Sequence, residues 1–341
     1  MKLHRNIKIF LNYCFGPLLF IWLSWSIWHQ VKAQPHLAQS WTSIRESMAS
    51  TAIFKLLIVL FLMPLNWAIE ALKWKRSIRH LQNISFLNAF KATLAGVSFS
   101  VSTPNRIGEY LGRVLYMEED KRIKAVSLTM LGSLSQLLIT LIMGFTGFCI
   151  LFPVMRTQPE FSGLWLQVVL YGVLGVLIFL LVFYFRISWL IRWINRFPRS
   201  AVFSKWVNAL RDCDTPLLLE LLLLSALRYT VFAVQYLLLF SLFGVELSIW
   251  NGWWGVSVSF LILAIIPTFA IAELAQRGYI TKTIIGLFST NLTGILLATA
   301  SIWFINLVIP AIAGSVLILL LKRIWREKEE GQKAESGNSS L

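Results

Sequence analysis

The stretch TPNRIGEYLGR (residues 103–113) sets a proline, two glycines, two arginines and a glutamate between apolar runs. Whether it crosses a bilayer decides the topology of the chain. A second stretch, IPTFAIAELAQRG (266–278), has the same plan: a proline, a small residue, then Glu-x-x-x-Arg. The pairs are Glu109 with Arg113 and Glu273 with Arg277. The surrounding segments, 86–117 and 252–288, are apolar but broken near the middle. Both are read as re-entrant helical hairpins, or pairs of short helices, because broken backbone survives at membrane depth only under protein or in a wet cavity.

Outward from these breaks, the composition points to lipid as the solvent. Of 341 residues, 57% are hydrophobic and 14% charged, with 15 Trp and 24 Phe. A soluble domain has no means of burying that much apolar surface. Six segments are long enough to span a bilayer: about 10–28, 52–72, 126–152, 164–185, 216–243 and 291–321. The fold class expected is an all-α polytopic membrane protein, with about six full transmembrane helices and the two hairpins arranged as an inverted repeat. One membrane domain is expected over 1–325, with halves of about 1–155 and 160–325. The tail 326–341, charged and Ser/Gly-bearing, is read as disordered.

The net charge of +15 is set by clusters beside spans rather than by a groove for nucleic acid, which is excluded on that distribution. Twenty-one basic residues fall in five clusters on one side, from Lys2, Arg5 and Lys8 to Lys322, Arg323, Arg326, Lys328 and Lys333. The opposite loops hold Lys32, Arg45 and Arg156. Both termini are therefore expected in the cytoplasm, with the two hairpins entering from opposite faces. The first apolar stretch exceeds a usual signal-peptide core and is read as an uncleaved span. Residues 186–211, where Arg alternates with Trp and Phe, suit the headgroup layer or a plain basic loop. Cys14, Cys149 and Cys213 have no redox or metal spacing, and two of them fall in apolar runs where a buried thiol is expected. The histidines form no ligand pair, and no metal or other cofactor is expected.

The breaks carry the candidate site. Thr103 before Pro104 suits a helix N-cap, and the free N–H groups of such a helix favour an anion such as phosphate. Arg106 and Arg113, seven apart, share a face and bracket that anion; Gly108 admits a helix or a headgroup closely. Thr268 is placed to cap the second helix. Glu220, Arg228 and Gln235 share a face of the span 216–243, and Arg228 lies near its middle, where a cation facing lipid is improbable. Arg228 is expected to meet Glu109, Glu273 or a substrate phosphate. Asn66 and Glu70 point to the same interior more weakly, with Glu70 read as an interfacial partner of Lys73 rather than a ligand. Against all this stands the plain reading, since Glu-x-x-x-Arg is a common helical ion pair.

At Thr103-Pro104-Asn105-Arg106-Ile107-Gly108-Glu109, the basic turn and long span that follow, and the Pro267…Glu273 element, the chain resembles a known family. This is the lysylphosphatidylglycerol synthetase membrane region, or flippase-like integral membrane proteins, over roughly residues 10 to 322. The resemblance implies a translocator of lipids with charged or sugar-bearing headgroups. Asn105 replaces a frequent glycine, and TFAIA (268–272) replaces a glycine-rich run. Nothing in these 341 residues resembles the soluble aminoacyl-transferase domain of full-length synthetases, so the resemblance is not expected to extend to lysyl transfer. The expectation is a lipid translocase in a bacterial inner membrane, acting on an anionic phospholipid or polyprenyl-linked glycolipid. Its substrate-binding residues are Thr103, Arg106, Gly108, Glu109, Arg113, Arg228, Glu273 and Arg277, and its partner is a membrane lipid with an anionic headgroup. The alternatives are a polytopic transferase acting on a lipid phosphate, with Glu109 or Glu273 as general base, and a non-transporting membrane subunit.

Overall fold

A computed structural model describes residues 53–101, 103, 108–158, 163–186, 210, 213–266 and 273–319. The expected first span, Arg106, Thr268, most of 186–211 and the tail lie outside the described residues. Within them every regular element is helical. Five helices are long and apolar enough to cross a membrane: α1 (Ile53–Ser77), α4 (Arg122–Arg156, entered through a short turn at Glu119–Lys121), α5 (Gly163–Phe185), α6 (Thr215–Leu242) and α9 (Leu292–Trp303, continuing to Leu319). Each answers to one expected span.

Between α1 and α4, α2 (Phe86–Val101) and α3 (Gly108–Val114) replace a crossing; between α6 and α9, α7 (Ile249–Ile265) and α8 (Glu273–Ile285) do the same. At 1.5 Å per residue the longest of these four, 17 residues, reaches about 25 Å, short of a bilayer core of about 30 Å. Both pairs fold back on themselves. Gly96 lies against Glu109 and Gly112, and Phe99 against Gly108, so α3 returns along α2. Gly255 lies against Ile285, so α8 returns along α7. A Cβ on Gly108 or Gly112 would strike α2 backbone, so the glycines are what allow the first hairpin to close.

Helix directions follow from side-chain contacts. Arg76–Glu220, Glu70–Arg228 and Lys55–Ser241 join α1 to α6 antiparallel. Tyr184, at the end of α5, donates to the Leu218 carbonyl at the start of α6 and shares a hydrogen bond with Ser135 of α4. The end of α1, the base of the first hairpin, the start of α4 and the start of α6 thus share one end of the bundle. The base of the second hairpin lies at the other, where Asn291 donates to the Phe243 and Gly244 carbonyls. The two hairpins open from opposite ends.

With lipid outside, helices associate by close packing of small residues rather than by escape from water. Gly144 and Gly147 of α4 receive Leu261, Ser257 and Trp254 of α7. Gly314, on the continuation of α9, receives the backbone of Leu94 and Ala95 in α2. Each hairpin is therefore backed by the long helix that follows the other. The apolar outer faces tell the same story: α5 has the highest mean hydropathy, 2.8, and only 17% of its most apolar window is covered, so it lines the lipid edge. The α9 window is 61% covered and sits inside. Cys149 is exposed on an outer face, contrary to the expectation of a buried thiol; an apolar run says that a residue avoids water, not that protein covers it.

Candidate functional site

Among the described residues the charged groups of both breaks are paired, with Arg113 and Glu273 buried and Glu109 and Arg277 partly buried. Arg113, 2% exposed, bonds Glu109 within α3 and, through the same Nη2, reaches Glu70 Oε1 of α1 at 2.9 Å. Glu70 also takes Lys73 at 2.7 Å and Arg228 Nη1 at 2.9 Å on its other oxygen. One carboxylate thus holds three cations from three elements: its own helix, the first hairpin and α6. Lys73 reaches on toward Ser225 at 3.4 Å, and Arg228 Nε donates to Asn66 Oδ1 at 2.8 Å. Such burial is tolerated because every one of these charges has an opposite charge within contact.

Three expectations are corrected here. Arg228 pairs with neither Glu109 nor Glu273 but with Glu70, because the antiparallel register of α1 and α6 sets these two side by side. Glu70 is not an interfacial partner of Lys73: the pair exists, but 4% exposure places Glu70 at the centre of the network. Glu220 also leaves the expected polar line. It pairs with Arg76 at 3.2 Å near the bundle end and is a third exposed, whereas Gln235, fully buried, donates to the Val59 carbonyl.

Thr103 acts as a cap, though five residues ahead of the helix start: its Oγ1 accepts Gly108 N–H at 2.7 Å. Gly108 admits a helix, α2, at close range. In the second break, Arg277 donates from Nε to Glu273 Oε1 at 3.0 Å, with Nη2 at 2.9 Å from the same oxygen.

Arg228 links the two breaks. It lines a cavity of about 310 Å³ together with Glu273 and Arg277. Its guanidinium lies 5.0 Å from the Trp67 ring centre and 5.8 Å from that of Phe232, within cation–π range. The cavity therefore gathers α1, α4, α6, α7, α8 and α9, and the Glu70 network stands behind its Arg228 wall. Of the sequence-derived residues, Arg228, Glu273 and Arg277 line it; Thr103, Gly108, Glu109 and Arg113 build the first hairpin beside it. Arg106 lies outside the described residues.

Residues that the sequence reading missed also line it, among them Trp67, Gln136, Trp303 and Asn306. Asn306 sits in a π turn, Phe304–Val308, inside the last span, where Ile309 N–H bonds the Phe304 carbonyl. Pro310 accounts for the widening, since it has no N–H to return to Asn306 and its ring crowds that carbonyl. An asparagine deep in an apolar run four residues before a proline was the available signal.

A protein-family model described as the lysylphosphatidylglycerol synthase TM region matches residues 15–208, more than half of the chain. No curated protein and no solved structure matches. The match takes in the first hairpin and Glu70, and it stops before Arg228, Glu273 and Arg277.

Proposed function

Because the chain belongs to the lysylphosphatidylglycerol synthase TM-region family, a multi-pass membrane family of lipid-related function, we propose that it is a lipid translocase. Its cargo is an anionic headgroup, of a phospholipid or a polyprenyl-linked glycolipid, passed between leaflets of the bacterial inner membrane. The observation that carries this reading is the charge in and behind the cavity: among the described residues, Lys73, Arg113, Arg228 and Arg277 are paired with Glu70, Glu109 and Glu273, four cations against three carboxylates. A phosphate entering there supplies the missing negative charge, and in a low-dielectric site that complementarity is strong. Binding draws Arg228 away from Glu70, which keeps Lys73 and Arg113 as partners. The Glu70 network thus holds Arg228 when the site is empty and tolerates its departure when a headgroup arrives.

The inverted-repeat reading gains support from hairpins that open from opposite ends and from the exchange of backing helices between them. In that reading Thr103, Gly108, Glu109 and Arg113 form one gate, and Glu273 with Arg277 the other. Lys75, Arg76, Arg79, Lys121, Arg122 and Lys124 crowd the bundle end at the first hairpin's base, which supports a cytoplasmic reading of that end.

Reconstitution tests the proposal. Vesicles holding the protein should equilibrate an acyl-labelled anionic lipid between leaflets, read by quenching from outside. Arg228→Ala should slow this at least tenfold, while Lys282→Ala, which belongs to none of these ion pairs, leaves it unchanged. Equal rates with and without protein would overturn the proposal.

A further inference from the structure

The cavity has more chemistry than an anion needs. Six aromatic residues line it: Trp67, Tyr229, Phe232, Tyr236, Phe260 and Trp303. Gln136 Nε2 donates to the Ser225 carbonyl at 3.4 Å and Asn306 Nδ2 to the Ile302 carbonyl at 3.3 Å. The other amide atoms, Gln136 Oε1 and Asn306 Oδ1, are buried without a partner among the described residues. Unpaired buried acceptors are expensive and call for a donor. Trp67 Nε1 and Trp303 Nε1, donors on the same lining, are also buried without a partner among the described residues; an ionised phosphate satisfies the donors but not the amide acceptors, whereas hydroxyls both give and take.

The volume agrees. A cavity of about 310 Å³ leaves room beside a phosphate for a further polar unit. Aromatic walls suit the C–H faces of a rigid ring, which lie flat on them, while its hydroxyls meet the amides of the lining. Aromatic walls also suit a cationic head, but here that use is already taken. Arg228 occupies the faces of Trp67 and Phe232, and Arg277 adds a second positive charge, so an ammonium-bearing head meets repulsion.

Resting on the translocase reading, we propose that this cavity is a subsite for a hexose ring carried on the lipid phosphate. Arg228 and Arg277 take the phosphate, Gln136 and Asn306 accept from ring hydroxyls, and Trp303 with the tyrosines forms the stacking wall. Of the two cargo classes, this selects the polyprenyl-linked glycolipid over the phospholipid.

Purified full-length protein in phosphatidylcholine nanodiscs is titrated with three probes: polyprenyl phosphate, its hexosyl phosphodiester and phosphatidylglycerol. The hexosyl lipid should bind at least tenfold more tightly than either of the others, although it carries less charge than the bare phosphate. Gln136→Leu with Asn306→Leu should bring its affinity down to that of polyprenyl phosphate, whose own binding stays the same and reports a folded protein. Equal wild-type affinities for the three probes, each lowered by Arg228→Ala, would overturn the sugar subsite and leave the translocase reading standing. Tighter binding of phosphatidylglycerol would do likewise. No binding by any of the three overturns both.

Discussion

Glu70 shows how burial separates two ion pairs that look alike in sequence. Its three cations depend on it in a medium that offers no water to replace it, whereas Glu220 holds Arg76 at the half-exposed end of the bundle. Glu70→Gln should therefore lower stability by about 3–5 kcal/mol, the usual cost of orphaning buried partners. Glu220→Gln should cost less than about 1 kcal/mol. Thermal unfolding in detergent, followed by helical circular dichroism, checks both. Arg228 was legible as a buried cation from its place in the middle of an apolar span. Its partner was not, because three glutamates were available and only the register of α1 against α6 chooses among them. Glu70 itself was hidden by its neighbours: Lys73, Lys75 and Arg76 make any nearby acid read as a surface residue.

At the scale of elements, hydropathy and breakers were enough to separate crossings from hairpins. The expected spans 126–152 and 164–185 correspond to Arg122–Arg156 and Gly163–Phe185, and both interrupted segments fold back. Hydropathy could not say what closes a hairpin. That lies with Gly108 and Gly112, whose missing side chains let α3 touch α2, while Gly172 and Gly175 on α5 have open space beside them. Gly112→Ala should destabilise the protein by about 1–3 kcal/mol through overpacking. Gly172→Ala should be neutral or slightly stabilising, since alanine is the better helix former. The same unfolding measurement separates the two. Nor could hydropathy report the π turn at Phe304–Val308, which answers to Pro310 and carries Asn306 on the cavity wall.

For the whole molecule, the opposed hairpins make a directional prediction. In a background free of native cysteines, Asn88→Cys at the first base and Trp250→Cys at the second should react with a membrane-impermeant maleimide from opposite sides of sealed vesicles. Labelling of both from one side would contradict the arrangement. The exchange of backing helices has a separate consequence. Gly144 and Gly147 shelter the later hairpin, and Gly314 the earlier one, so a half-length polypeptide would lack the wall its own hairpin leans on. Two such polypeptides inserted upside-down to each other would each provide the other's missing wall, so a gene cut between α4 and α5 should regain function only when both fragments are made in the same cell.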